Sequence, residues 1–294
     1  MQVRLRGRIL LLGIAAFLFL LSNAAHAGPG KFYIVGMGTT PDLLTLRGAE
    51  VVKRADIILL EDPGDQKAWE ELIGNKEVWF CPRRSAASYG ADLEKLRDPS
   101  ARERAMLDAK IRKEIVERIR GAVEKGKTVA ALKWGDPMMY ENTFYLEMMP
   151  EDFPSEIVPG VGSFQAASAA LKRSPCYGWD TNSVILTMVD WPGRTDNNEK
   201  LMATQTTMVF YAMHLDYLQL FEQLGRHYAK DTPVAVVSHA GDLEREEVIR
   251  STVGRFLAEV NYRQLPPDAT LLLVGKFLTA GQARKEAALS QPMR

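Results

Sequence analysis

The chain has 294 residues, of which 46% are hydrophobic and 25% charged, with 37 basic against 37 acidic side chains. That is an ordinary globular composition, long enough for two medium domains. The balanced charge offers no electrostatic footprint for nucleic acid or for an anionic membrane surface, so neither is expected as a partner.

The chain opens with Arg4, Arg6 and Arg8, then an apolar run from Ile9 to Leu21, then Ala25-His26-Ala27. A basic start, an apolar middle and a small-residue cleavage pattern form the layout of a secretory signal peptide. Residues 1–27 are therefore expected to be a leader cleaved after Ala27. The mature chain would begin at Gly28 and be exported to the periplasm. The apolar run is short of the roughly 20 residues that span a bilayer, and no later run is long enough, so no stable membrane span is expected after cleavage.

Lys31 to Val35 reads as a first strand, followed by a loop from Gly36 to Thr40. Thr40 is the N-cap candidate of the next helix, with Pro41 at its first position. Leu44, Gly48, Val51, Val52 and Ala55 recur at helical spacing and form its buried stripe. The apolar run Ile57–Leu60 suits a parallel strand covered on both faces, and Glu61, Asp62 and Pro63 end it. Val78–Cys81 is a further short strand. The polar segment from Arg83 to Leu96 stays unassigned. Ser100 and Glu103 form a capping box. The helix it opens carries Leu107, Ile111, Ile115, Ile119 and Val123 on one face and ends at Lys125-Gly126. Thr128–Leu132 is a strand that leads into Gly135-Asp136-Pro137.

Strand Glu156–Val158 runs into Pro159-Gly160, and Ser163–Leu171 reads as a helix of small residues. In the second half, Val184–Val189, Met208–Tyr211, Pro233–Ser238 and Thr270–Val274 are apolar strand candidates. Helices are expected near Leu215–Leu224 and Glu244–Thr252, a polar loop over Trp191–Lys200, and a frayed tail from Ala280. The alternation gives an α/β fold class. It divides into two α/β domains, 28–158 and 159–280, with a tail over 281–294. Cys81 and Cys176 fall in different domains and read as two separate buried thiols rather than as a bridge. No Cys/His spacing matches a metal site, so none is expected.

Three turns carry chemistry: Gly36-Met37-Gly38-Thr39-Thr40-Pro41, Trp134-Gly135-Asp136-Pro137-Met138-Met139-Tyr140 and Pro159-Gly160-Val161-Gly162-Ser163. Glycine-built turns after strands bring bare backbone amides close to a polar small molecule. The first lacks the third glycine of G-x-G-x-x-G, which argues against a dinucleotide. Met138 and Met139 read as core filler, and His239 as a loop histidine.

In this order the three turns resemble the tetrapyrrole (precorrin/uroporphyrinogen-III) methylases, which transfer a methyl group from S-adenosylmethionine. The first turn resembles G-x-G-P-G-D-P-x-L-L-T, one residue shorter. The second is similar to G-D-P-x-x-Y/F-G, with Glu141 for the last glycine and Trp134 for a glycine of the L-K-G-G-D-P variant. The third resembles P-G-[VI]-[ST]-[SA]-x-x-A-A, with Gly162 in place of a hydroxyl. Thr207–Met213 and Ala269–Gly275 are similar to two late strands.

The resemblance implies two α/β domains with a ligand cleft between them. It implies cofactor contacts at Gly36, Gly38 and Pro41 of the first turn, and at Gly135, Asp136, Pro137 and Tyr140 of the second. Gly162 and Ser163 would contribute from the third, and Tyr211, Met213 and Thr270 from the later strands. Methyl transfer is an in-line displacement that needs alignment and exclusion of water more than acid–base machinery. Asp42, Asp136 and Tyr211 are the candidates nearest to a catalytic role. The implied substrate is a small molecule of tetrapyrrole type. Its carboxylates would want cations such as Lys53, Arg83, Arg84 or Lys133, and a homodimer is a candidate assembly. The shortened first turn, Gly162 and Glu141 keep an alternative open: an exported, non-catalytic tetrapyrrole- or ligand-binding protein on the same fold.

Overall fold

The computed structural model describes residues 30–81, 98–140, 144–177, 182–190, 194–213 and 215–279. The expected leader, the 83–96 segment, Glu141 and the C-terminal tail lie outside the described residues. The chain divides into two compact units. One runs to Met37 and from Leu44 to Gly160; the other comprises Gly38–Leu43 and the chain from Val161.

The first unit carries β1 (Lys31–Gly36), α1 (Leu46–Arg54), β2 (Ile57–Leu60), α2 (Asp65–Ala68), α3 (Glu70–Ile73), β3 (Glu77–Phe80), α4 (Pro99–Glu124), β4 (Thr128–Lys133), α5 (Phe144–Glu147) and β5 (Ser155–Val158). The strands form one parallel sheet in the order β3-β2-β4-β1-β5. Side chains alternate between its faces. Phe32, Ile34, Ile57, Leu59, Val129 and Ala131 pack against Ile115, Ile119 and Val123 of α4. Tyr33, Val35, Ile58, Leu60, Ala130 and Leu132 pack on the other face with Val51 and Val52 of α1. Both faces are covered, as the continuous apolar runs required. All strands point one way, so the chain leaves β1, β4 and β5 at the same sheet edge. In open α/β sheets that carboxyl edge is where ligands bind.

Two helix starts differ from the sequence expectation. Pro41–Leu43 is a single 3-10 turn, and α1 starts later, with Thr45 as N-cap accepting from the Gly48 amide at 3.1 Å. The hydroxyl of Thr40 instead donates to Asp42 Oδ1 at 2.6 Å. The cap of α4 is Asp98, which accepts from the Ser100 amide at 3.0 Å, with Pro99 at the first position. Aspartate before proline outcompetes the Ser100/Glu103 box because Pro99 has no amide to satisfy and is already set for the helix. Leu107 is exposed rather than part of the buried face.

The second unit carries α6 (Ser163–Leu171), β6 (Val184–Thr187), α7 (Asn198–Met202), β7 (Thr207–Tyr211), α8 (Tyr217–His227), β8 (Pro233–Ser238), β9 (Glu247–Thr252), α9 (Phe256–Glu259) and β10 (Thr270–Val274). Its sheet, in the order β6-β7-β10-β8-β9, is mixed. Strand β6 is parallel to β7, while β10 runs antiparallel to both of its neighbours and β9 antiparallel to β8. The expected helix over Glu244–Thr252 is thus a strand from Glu247. Val248, Ile249, Ser251 and Thr252 suit a pleated edge, and β8 offers a full ladder to pair with. Part of the expected loop at Trp191–Lys200 is helical, as the start of α7. Leu220, Phe221 and Leu224 of α8 and Phe256 of α9 close the core over Met208, Phe210, Val234, Val236, Leu272 and Val274. Phe221 and Phe256 stack at 4.0 Å. Among the described residues no helix is long and apolar enough to cross a membrane.

Candidate functional site

In the first unit the sheet edge brings three glycines into backbone contact. A Cβ on Gly36 would lie 2.5 Å from the Gly160 nitrogen and 2.8 Å from Pro137 Cδ. A Cβ on Gly160 would lie 2.1 Å from the Gly135 carbonyl oxygen and 2.7 Å from the Gly36 carbonyl carbon. No side chain fits at either place. Gly135 itself has φ +68°, a conformation open to glycine at little cost. The expected site residues Gly36, Gly135, Asp136 and Pro137 therefore meet, and Gly160 joins them.

Asp136 links two turns. Its Oδ1 accepts from the Met138 amide at 2.8 Å and its Oδ2 from the Gly160 amide at 3.3 Å. A carboxylate has about four acceptor positions, so these bonds fix the side chain and leave room for a further donor. Pro137 is buried. Met138 is 61% exposed, not the core filler expected from its residue type. Tyr140 ends the turn, 42% exposed and at φ +57°.

In the second unit Gly38, at φ +77°, begins the segment that carries exposed Pro41 and Asp42. This segment rests on the β8–β9 turn. A Cβ on Gly241 would come within 2.7 Å of both Thr39 Oγ1 and Leu43 Cδ1. Thr39 Oγ1 is buried with no hydrogen-bond partner among the described residues. In the same β8–β9 turn the Asp242 carboxyl is held below the usual carboxylate range, first by its bond from Arg245. His239 takes φ +49° there and its amide donates to the Ala269 carbonyl at 2.7 Å.

Helix α6 begins at Ser163 with Gly162 as N-cap, and no side chain caps it. The first amides of this nine-residue helix thus have no side-chain acceptor of the kind a Ser or Thr cap would provide. Tyr211 closes β7 opposite Leu271, and the Ala212 amide donates to the Thr270 carbonyl at 3.1 Å. The Thr270 hydroxyl bonds within the protein, to Ser238 Oγ at 3.0 Å and the Pro266 carbonyl at 2.7 Å. Met213 follows β7 in a turn, partly buried.

The cations proposed for substrate carboxylates fare differently. Lys133 is buried, with 1% of its side chain exposed, and Nζ is paired with the carboxylate of Glu61. It lies over the Tyr145 ring, 5.4 Å from the centroid. A buried, paired lysine is a structural cation, which corrects the expectation that it serves substrate carboxylates. Lys53 is exposed and bonded to Glu50 at 3.1 Å. Arg83 and Arg84 lie outside the described residues.

Both cysteines are free thiols. Cys81 is buried, and burial pushes its thiol up to about 11. Cys176 is exposed, against the expectation that both are buried. Gly160, legible as the glycine of Pro159-Gly160 in the third turn, joins the expected residues, whereas the pairing of Glu61 with Lys133 had no signal in the sequence.

Residues 31–257 match the tetrapyrrole (corrin/porphyrin) methylases. The chain is 28% identical over 257 residues to a cobalt-precorrin-4 C(11)-methyltransferase of Methanocaldococcus jannaschii, covering 84% of this chain and 88% of that one. It is also 28% identical over 258 residues to a uroporphyrinogen-III C-methyltransferase of Bacillus subtilis, covering 85% and 91%. The X-ray structure of a cobalt precorrin-4 methyltransferase, a cobalamin biosynthetic enzyme, superposes with a TM-score of 0.62 at 26% identity, over 84% of this chain and 95% of that one. The matched residues include all three turns, and the chain belongs to the tetrapyrrole (corrin/porphyrin) methylases, a family of S-adenosylmethionine-dependent methyltransferases.

Proposed function

We propose that this protein methylates a carbon of a tetrapyrrole ring, with the precorrin-4 type of substrate first and the uroporphyrinogen-III type second. The observation that carries the reading is the backbone cradle of Gly36, Gly135 and Gly160, tied together by Asp136. The precorrin-4 type comes first because the solved cobalt precorrin-4 methyltransferase is the more similar structure, 26% identical at a TM-score of 0.62 against 24% at 0.55 for a uroporphyrin-III C-methyltransferase of Thermus thermophilus.

S-adenosylmethionine, when bound, supplies an electrophilic methyl group on a sulfonium. The chain's own residues bind and orient. Glycines 36, 135 and 160 keep side chains away and present backbone groups at one sheet edge. Asp136 offers acceptor capacity for an amine or hydroxyl donor. Alignment more than acid–base machinery is what this chemistry asks of the protein, which fits a signature made of turns.

The direct test is an assay with purified protein, S-adenosylmethionine and each of the two reduced tetrapyrroles. Mass spectrometry should show the gain of one methyl on one of them, and replacement of Asp136 by Ala should slow it. Saturable tetrapyrrole binding with no methyl gain on either substrate would sink the catalytic reading in favour of a binding protein. The first 27 residues support a further part of the proposal, export to the periplasm. N-terminal sequencing of envelope-fraction protein should begin at Gly28; an intact Met1 in the cytoplasmic fraction would refute it.

A further inference from the structure

Strand β4 ends on Lys133, and the chain continues through Trp134 into the Gly135 turn. The two side chains leave opposite faces of the sheet, as consecutive residues of a strand must. On the α4 face, Nζ of Lys133 is bonded to Glu61, with 1% and 5% of the two side chains exposed. On the other face the Trp134 indole Nε1 donates to Asp65 Oδ1 at 2.9 Å, and its ring lies 4.9 Å from that of Trp69. Glu61 opens the short connection between β2 and α2, and Asp65 is the first residue of α2. That connection is itself braced, because Asp62 accepts from the Gly64 amide at 2.7 Å and from the Asp65 amide at 3.1 Å. The Lys133 carbonyl in turn accepts from the Met37 amide at 2.8 Å.

We propose that Glu61 and Asp65 are positioning residues that clamp the entry to the Gly135-Asp136-Pro137 turn from both faces of the sheet, so that the turn is fixed before a ligand arrives. A site works in proportion to how well its contacting groups are held in advance. The proposal rests on the reading above that this turn contacts S-adenosylmethionine. The Asp65 half depends on Trp134, where the resembled L-K-G-G-D-P variant has glycine, so that half of the clamp is a feature of this chain.

The test compares Asp65→Ala with Asp65→Asn, which keeps an oxygen to accept from the indole N–H. Asp65 is partly exposed at the start of α2, so both variants should fold. Hydrogen exchange in the unliganded protein should quicken at residues 134–140 in Asp65→Ala and stay unchanged along β2 and β4; Asp65→Asn should restore it. Affinity for S-adenosylhomocysteine should fall about fivefold in Asp65→Ala and recover in Asp65→Asn, the size of one net hydrogen bond. The Glu61→Gln variant should quicken exchange in the same window.

Unchanged exchange at 134–140 in a folded Asp65→Ala protein would overturn the clamp, as would a uniform loosening of the whole first unit that Asp65→Asn does not reverse. Wild-type protein that fails to bind S-adenosylhomocysteine would instead defeat the functional reading. The exchange measurement would still decide the clamp.

Discussion

Gly160 shows how much the candidate site depends on single atoms. A Cβ there would meet the Gly135 carbonyl oxygen at 2.1 Å, closer than real contacts come. Gly160→Ala must push the two turns apart, which should cost about 1–3 kcal/mol of stability by overpacking and weaken S-adenosylhomocysteine binding. Denaturant unfolding and calorimetry would check both; an unchanged midpoint and affinity would contradict the cradle. The two thiols make a second residue-scale prediction. Exposed Cys176 should react with a thiol reagent in the native protein, and buried Cys81 only on unfolding. The glycines and Asp136 were legible as spacing in the sequence. The Asp136–Gly160 bond was not, because it joins positions 24 residues apart that meet only once β4, β1 and β5 lie side by side. The burial of Lys133 was not legible for the same reason, because its partner Glu61 comes from the neighbouring strand's end.

Elements were legible where one interaction dominates. Apolar runs located β2, β8 and β10 well, because burial on both faces of a sheet leaves no room for polar residues. Boundaries set by competing caps were less so. Thr45 and Thr40 both precede the same helix, and geometry chooses Thr45. Thr45→Ala should therefore cost about 1 kcal/mol, and Thr40→Ala distinctly less, measured by denaturant midpoints. The reverse order would return the cap to Thr40. Strand β9 was misread because Glu244-Arg245-Glu246-Glu247 looks like a helix surface. Pairing with β8 overrides that local preference, as strand formation generally follows its neighbours more than its own residues.

For the molecule as a whole, the α/β class and the presence of two units follow from alternation and length, but the direction of pairing does not. The first sheet is parallel and the second mixed, a choice set by which strands neighbour one another in space. Global stability carries an alkaline pH signature from Cys81. Burial holds the Cys81 thiol protonated in the folded chain to about 11, against an ordinary 9.0. The unfolded chain ionises first, so this contribution is intact below pH 9 and is lost as pH rises toward 11. Cys81→Ala should remove that part of the alkaline decline in unfolding midpoints; an identical decline in both proteins would refute it.

The central claim is that the glycine cradle and Asp136 belong to a working methyl-donor site. Calorimetric titration of S-adenosylhomocysteine into the purified protein tests it most directly. Saturable micromolar binding that weakens markedly in Asp136→Ala is the expected result. A folded protein that takes up no S-adenosylhomocysteine, or one that binds it equally well without Asp136 and with Gly160→Ala, would contradict it.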